Sequence, residues 1–258
     1  MSIGGTGLDK VWTAGLAVIG DEILSGRTQD RNIAQIATWL NAQGIRLAEV
    51  RVVPDVEQRI VEAVDALRHT YDYCFTTGGI GPTHDDITVD AIAAAFNVPV
   101  VIHPEARAIL EGYYRDRAGG LNAARLRMAR VPEGAELLRN PSSGAPGVKI
   151  GNVYILAGVP HIAASMLEAL TGTLEGGRPV VSVVVGTRAA ESEVAELLRD
   201  TEAGHPGVTI GSYPFFKDGG YGANFVIRSD DGDLARQCGE TLAEHLRDAG
   251  YETVEGGI

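Results

Sequence analysis

Apolar residues first gather in an unbroken run, Val11–Ile19, that stops at Gly20; this is the pattern of a strand buried on both faces. A polar loop follows over 20–29. From Asp30, an acidic cap, to Gln43 the apolar positions Ile33, Ile36, Ala37 and Leu40 share one face of a helix that Gly44 ends. Ile45–Val53 predicts a second strand, and Asp55 is placed to cap a helix carrying Ile60, Val64 and Leu67 on one stripe. Tyr73–Thr77 predicts a third strand, short and apolar, broken at Gly78–Gly79. Strands separated by single amphipathic helices predict parallel βαβ units, because a parallel connection needs a crossover of helix length.

Further along, helices are expected from near Thr88, carrying Val89, Ile92, Ala93 and Phe96, and from Pro104 to Arg117. Segments 147–150 and 153–157 read as strands, and Pro160 opens a helix at its first position, where the missing N–H costs nothing. The stretch 171–179, TGTLEGGRP, reads as a linker. Beyond it come a strand at 180–185, a helix at 192–202, strands at 208–213 and 224–228, a helix at 233–249 and a short strand near Thr253. That order, βαββαβ, is the ferredoxin-like pattern. The expected organisation is an α/β domain over 1–172 and a small α+β domain over 179–258.

Charge narrows the ligands. The 258 residues hold 34 Asp and Glu against 22 Lys and Arg, a formal net charge of −12. Such a field repels nucleic acid and anionic membranes. An anionic phosphate substrate would therefore need backbone N–H groups, a metal ion or a few local arginines. No apolar run approaches the ~20 residues that span a bilayer, and the opening segment lacks the basic and apolar regions of a signal peptide. The two cysteines, Cys74 and Cys238, lie among apolar neighbours and read as core packing in a reducing, cytoplasmic compartment.

The strongest chemical signal is TTGGIGPTHDDIT, residues 76–88: a strand ends, glycines turn the chain and a helix begins. Thr77, Gly78, Gly79, Gly81 and Thr83 stand where successive N–H groups and a helix N-terminus can hold a phosphate. Asp85 and Asp86 follow in the same turn. A second signal, GDEILSGRTQDRN over 20–32, opens at the same edge of a parallel sheet and brings Asp21, Glu22, Ser25 and Asn32. Acidic Asp21 and Glu22 beside Asp85 and Asp86 would repel unless a hard cation sits between them, and carboxylate oxygens suit Mg²⁺ or Mn²⁺. His84 and His161 read as turn-capping side chains, with a phosphate or metal contact open to His84.

These two loops carry a resemblance. TGGIGPTHDDIT resembles the TGGxGPTxDDxT signature of the competence-damage-inducible proteins, a branch of the molybdopterin-binding domain family, and GDEIL followed by Asp30 and Asn32 resembles its companion motif. The N-terminal part of animal FAD synthases belongs to the same branch. The wider family retains one aspartate of the pair, which matches Asp86. Its third element corresponds to Asn140–Gly147, with Ser143, Gly144 and Gly147, followed by Ala157–Pro160. The chain departs from the usual Pro-Gly-Val-Pro-x-Glu-Met at Ala157 and Ile162.

The resemblance implies a three-layer, mostly parallel sheet followed by the small domain, in a homo-oligomer whose order, dimer or trimer, is open. Neither an amidase domain nor an FAD-synthesising domain is expected within these residues. It further implies a small-molecule nucleotide or pterin phosphate as ligand, held by Ser143, Gly144, Gly147, Pro160 and the glycine turn. A divalent cation (Mg²⁺, Mn²⁺ or Co²⁺) on Asp21, Glu22 and Asp86, with Asp85 beside them, would serve hydrolysis of a nucleoside diphosphate linkage of the ADP-ribose or FAD kind. Two alternatives stand beside it: molybdopterin binding or adenylylation, and a non-catalytic nucleotide-binding module.

Overall fold

The structure, a computed structural model, describes residues 10–217 and 219–258. The reading of the opening segment falls, through residue 9, outside the described residues. Contacts divide the chain into two units, Met1–Gly177 and Arg178–Ile258.

In the first unit the elements run β1 (Trp12–Ile19), α1 (Asp21–Leu24), α2 (Asn32–Ala42), β2 (Ile45–Val53), α3 (Glu57–Thr70), β3 (Tyr73–Thr77), α4 (Thr88–Ala95), β4 (Val100–Ile102) and α5 (Pro104–Tyr114). There follow α6 (Ala123–Leu126), a 3₁₀ turn (Arg127–Ala129), β5 (Arg130–Pro132), β6 (Glu136–Leu138), β7 (Gly147–Ile150), β8 (Val153–Leu156) and α7 (Pro160–Leu170). The main sheet has the order β2-β1-β3-β8-β7-β6. Its β2, β1, β3 and β8 are mutually parallel, and β7 and β6 extend it antiparallel.

Side chains alternate between the faces of the sheet, as the pleat requires. Leu16, Val18, Phe75 and Leu156 point to one side and pack with Ile36 and Leu40 of α2 and Met166 and Leu167 of α7. Ala17, Ile19, Cys74 and Ile155 point to the other, against Ile60, Val64 and Leu67 of α3 and Ala91 and Ile92 of α4. Helices thus cover both faces of a mostly parallel sheet in three layers, and this is why β1 and β3 read as continuous apolar runs.

Several boundaries differ from the sequence reading. The loop after β1 contains the one-turn helix α1. Helix α2 starts at Asn32, because the Asp30 carboxylate accepts the Ile33 N–H at 2.8 Å from just outside it. Helix α3 starts at Glu57 with no side-chain cap; Asp55 is engaged elsewhere. Helix α5 ends at Tyr114, short of Arg117. Strands β4, β5 and β6 were not expected, since three-residue strands are too short to show a period. Nor is 171–179 a free link. Leu174 packs against the α2–α7 side of the core, the Tyr73 hydroxyl donates to Glu175 O at 2.9 Å, and the Gly177 N–H donates to Gly44 O at 3.0 Å. The first unit therefore continues past residue 172 to Gly177.

The second unit is β9 (Val181–Thr187), α8 (Glu191–Ala203), β10 (Thr209–Lys217), β11 (Gly220–Ser229), α9 (Gly232–Asp248) and β12 (Thr253–Glu255). Its sheet is antiparallel, with the order β10-β11-β9-β12. Val185, Phe225 and Ile227 pack against Val194 of α8 and Cys238, Leu242 and Leu246 of α9. Among the described residues no helix is long and apolar enough to cross a membrane.

Candidate functional site

Strand β1 leads through α2 to β2 on one side of itself, and the chain then crosses through α3 to β3 on the other. The carboxyl ends of β1 and β3 therefore flank a topological switch point, the place where open α/β sheets bind ligands. Four connections open at this edge: 20–31 after β1, 54–56 after β2, 78–87 after β3 and 157–159 after β8.

The glycine turn after β3 is fixed by close approach. Gly78 has φ +101°, and a Cβ there would lie 2.1 Å from Ile19 O; Gly79 has φ +66°, and its Cβ would lie 2.1 Å from Thr88 Oγ1. The buried Thr88 clamps the turn to the start of α4: its hydroxyl donates to Gly78 O at 2.8 Å and its N–H to Gly79 O at 3.0 Å. The amides of Gly79, Ile80 and Gly81 donate to no acceptor among the described residues. Consecutive unpaired amides in a turn clamped to a helix start are the kind of group from which anion sites are built.

The two aspartates of the turn have different surroundings. Asp86 is half-buried, and its carboxylate accepts the Thr83 N–H at 2.7 Å and the Thr83 hydroxyl at 2.5 Å, closing the loop on itself. Asp85 is exposed, and its carboxyl is held below the usual range, first by the neighbouring Thr83 hydroxyl and then by its own backbone N–H, with His84 adding to the effect.

A residue that the sequence reading assigned to a helix cap completes this edge. Asp55, in the β2 connection, accepts the Asp21 backbone N–H at 2.9 Å. Burial pushes the Asp55 carboxyl up, outweighing that hydrogen bond, and the carboxylates of Asp21, Glu22 and Asp85 push it further. Asp55 thus feels the charges of both acidic loops, of Asp21 and Glu22 from one and of Asp85 from the other. Its one sequence signal was its place just after a strand in the parallel half of the sheet.

Other expected site residues serve as braces. Asn32 is buried; its amide donates to Gly158 O at 2.8 Å while its carbonyl oxygen accepts Gln35 Nε2 at 2.8 Å, and Gln35 also donates to Pro160 O at 3.0 Å. That network ties α2 to the turn before α7. Thr77 is wholly buried and its hydroxyl has no partner, so only its backbone reaches the turn. Ser25 is exposed and its hydroxyl donates to Glu22 O at 3.3 Å.

In the third loop Asn140 holds the chain: its amide donates to Ser143 Oγ at 2.7 Å and Ala145 O at 2.6 Å, and its oxygen accepts the amides of Ser142 and Ser143. Gly144 lies against the Tyr113 ring, and Gly147 is buried at the start of β7. This loop meets the glycine turn through Pro146, which lines a small pocket with Gly79 and Gly81. Sequence reasoning also missed Arg127, Arg130 and Asp90 in that pocket.

Among the described residues no three His, Cys, Asp or Glu side chains converge into a metal cage. Mg²⁺ seldom uses one: it takes one or two carboxylates and fills its remaining positions with water and substrate phosphate. Oxygen donors are the ligand type such a cation takes, and Asp55 is the carboxylate on which the charges of Asp21, Glu22 and Asp85 register. Neither cysteine offers a nucleophile; burial drives the Cys74 thiol up to about 12 and raises that of Cys238.

The glycine turn with its unpaired amides thus lies at the switch point of a three-layer, mostly parallel α/β sheet, with acidic residues in the neighbouring connections. The chain belongs to the family described as "Probable molybdopterin binding domain", which matches residues 15–176, and residues 179–255 match the "FAD synthase, middle domain". It is 35% identical over 207 residues to a protein of Aeropyrum pernix, covering 76% of each chain. It is 33% identical over 213 residues to a CinA-like protein of Desulfosudis oleivorans, covering 77% of this chain and 51% of that longer one. The solved structure of CinA from Thermoplasma acidophilum, described as of unknown function, aligns with a TM-score of 0.58 at 32% identity, over 62% of this chain and 96% of that one.

Proposed function

We propose that the protein is a metal-dependent pyrophosphatase that cleaves the diphosphate linkage of a nucleotide of the ADP-ribose or FAD type. The observation that carries this reading is the 2.9 Å bond from the Asp21 N–H to Asp55, whose carboxyl is raised further by Glu22 and Asp85, at the same strand-end edge as the unpaired amides of Gly79–Gly81. One or two of the carboxylates of Asp21, Glu22, Asp55 and Asp85 would hold Mg²⁺, Mn²⁺ or Co²⁺, while Asp86, which the sequence reading put on the cation, closes its loop through Thr83. When bound, the cation neutralises phosphate oxygens and makes water a better nucleophile at neutral pH.

The remaining work falls to the chain. The glycine-turn amides hold non-bridging oxygens and orient the phosphorus. Asp55 fixes α1, and with it Asp21 and Glu22, through the Asp21 amide. Ser25 and Ser143 have no base beside them, their hydroxyls being bonded to Glu22 O and Asn140, so no covalent intermediate is invoked. Water is the attacking group, and the products are two monophosphates. Similarity of the second unit to an FAD synthase domain supports a flavin dinucleotide among the candidate substrates.

The family's description favours a second reading, binding or adenylylation of a molybdopterin phosphate. A non-catalytic nucleotide-binding module is the third. Incubation with ADP-ribose and FAD under each cation, followed by mass spectrometry, separates them. AMP with ribose 5-phosphate, or AMP with FMN, is expected. Consumption of ATP with release of pyrophosphate in the presence of molybdopterin supports the second reading, and tight binding without turnover supports the third.

A further inference from the structure

The pocket beneath the glycine turn, about 20 Å³ in volume, is lined by Gly79, Gly81, Asp86, Arg127, Arg130 and Pro146. A space of that size takes one water-sized group, hence one phosphoryl oxygen rather than a whole phosphate. Its two guanidinium groups are not equivalent. Arg130 forms an ion pair with Asp90. Among the described residues Arg127, on the 3₁₀ turn before β5, meets only a neutral acceptor: Nη2 donates to Asp86 O at 3.3 Å, and Nε is buried without a partner. A desolvated, unpaired donor on a charged group is costly to keep, and an anionic acceptor relieves that cost.

We propose that Arg127 is a substrate-binding residue, whose guanidinium turns its Nε–H to the phosphoryl oxygen that enters this pocket beside Gly79 and Gly81. In a chain of net charge −12 it supplies a local positive charge for an anionic substrate. Its bond to Asp86 O holds the guanidinium at the turn, so that one side chain touches both the ligand and the loop that binds it. The proposal rests on the reading that the glycine turn holds a phosphate, but not on hydrolysis.

The test is calorimetric titration of the full chain with inorganic pyrophosphate, without added metal, for wild type, Arg127→Gln and Arg127→Lys, beside thermal melting of each. Arg127→Gln is expected to melt within a few degrees of wild type and to bind pyrophosphate at least about tenfold more weakly, equivalent to ~1.4 kcal/mol. Arg127→Lys should fall between them, because an ammonium keeps the charge but loses the planar fork. Unchanged affinity in Arg127→Gln, whatever its melting temperature, would make Arg127 a loop brace and overturn the proposal, as would a wild type that binds no pyrophosphate. If Arg127→Gln fails to fold, Arg127→Lys carries the test, and wild-type affinity there overturns it. Binding that depends on Arg127, in a protein that leaves ADP-ribose and FAD intact, would sink the hydrolase reading and leave this one standing.

Discussion

The Asp55 carboxylate accepts the backbone N–H of Asp21 at 2.9 Å, joining the connection after β2 to the start of α1 across the edge of β1. A carboxylate that repels its three acidic neighbours is held there by one amide. Asp55→Asn keeps an acceptor for that amide and removes a charge; Asp55→Ala removes both. Without a divalent cation, Asp55→Asn should be as stable as wild type or more so, because the repulsion is relieved. With Mn²⁺ both variants should bind the ion at least about tenfold more weakly, ~1.4 kcal/mol. Calorimetric titration with Mn²⁺ checks this, and unchanged affinity would remove Asp55 from the site.

Gly79→Ala places a methyl group 2.1 Å from Thr88 Oγ1 at a φ of +66°. Left-handed backbone costs a non-glycine residue roughly 1–2 kcal/mol before the clash is counted. The bond from Thr88 to Gly78 O must also shift. A fall of about 2–4 kcal/mol in unfolding free energy is expected, as for other strained or overpacked positions, together with weaker pyrophosphate binding. Denaturant titration and calorimetry on one preparation measure both, and a wild-type melting curve would contradict the turn geometry.

Most of the first unit was legible in the sequence because its parallel strands are buried on both faces and its helices carry one apolar stripe. The three-residue strands β4, β5 and β6 offered no period to read. At the site, the glycine turn and its acidic neighbours were visible as a local string. Asp55 and Arg127 were not, since each acquires its place through contacts distant in sequence: Asp55 with Asp21, Arg127 with Asp86. Asn32 was read as a ligand contact because it lies in a motif, yet its buried amide is engaged by Gly158 and Gln35. A string of residues shows which groups are near a turn, but not which of them the fold has already paired.

Asp72 gives a pH dependence away from the site. Burial raises its carboxyl, but hydrogen bonds from Lys10 and from the Thr13 amide and hydroxyl outweigh burial and leave it below the ordinary value of 3.8. A lowered folded value means that the ionised group stabilises the fold above its unfolded pKa. That contribution disappears as pH falls through 3.8 toward the folded value. Asp72→Ala should lose about 1–3 kcal/mol at neutral pH and show a shallower acid limb in unfolding experiments from pH 7 to 2. Parallel acid limbs for the two proteins would remove Asp72 as the cause.

The central claim, hydrolysis of a diphosphate linkage by water, is tested most directly by turnover of ADP-ribose in heavy-oxygen water with Mg²⁺, Mn²⁺ or Co²⁺, each product being weighed by mass spectrometry. The account predicts AMP and ribose 5-phosphate, with a single heavy oxygen on one of the two, and loss of that activity in Asp21→Asn. Intact ADP-ribose and FAD under all three cations, with ATP-dependent release of pyrophosphate when molybdopterin is supplied, would contradict it.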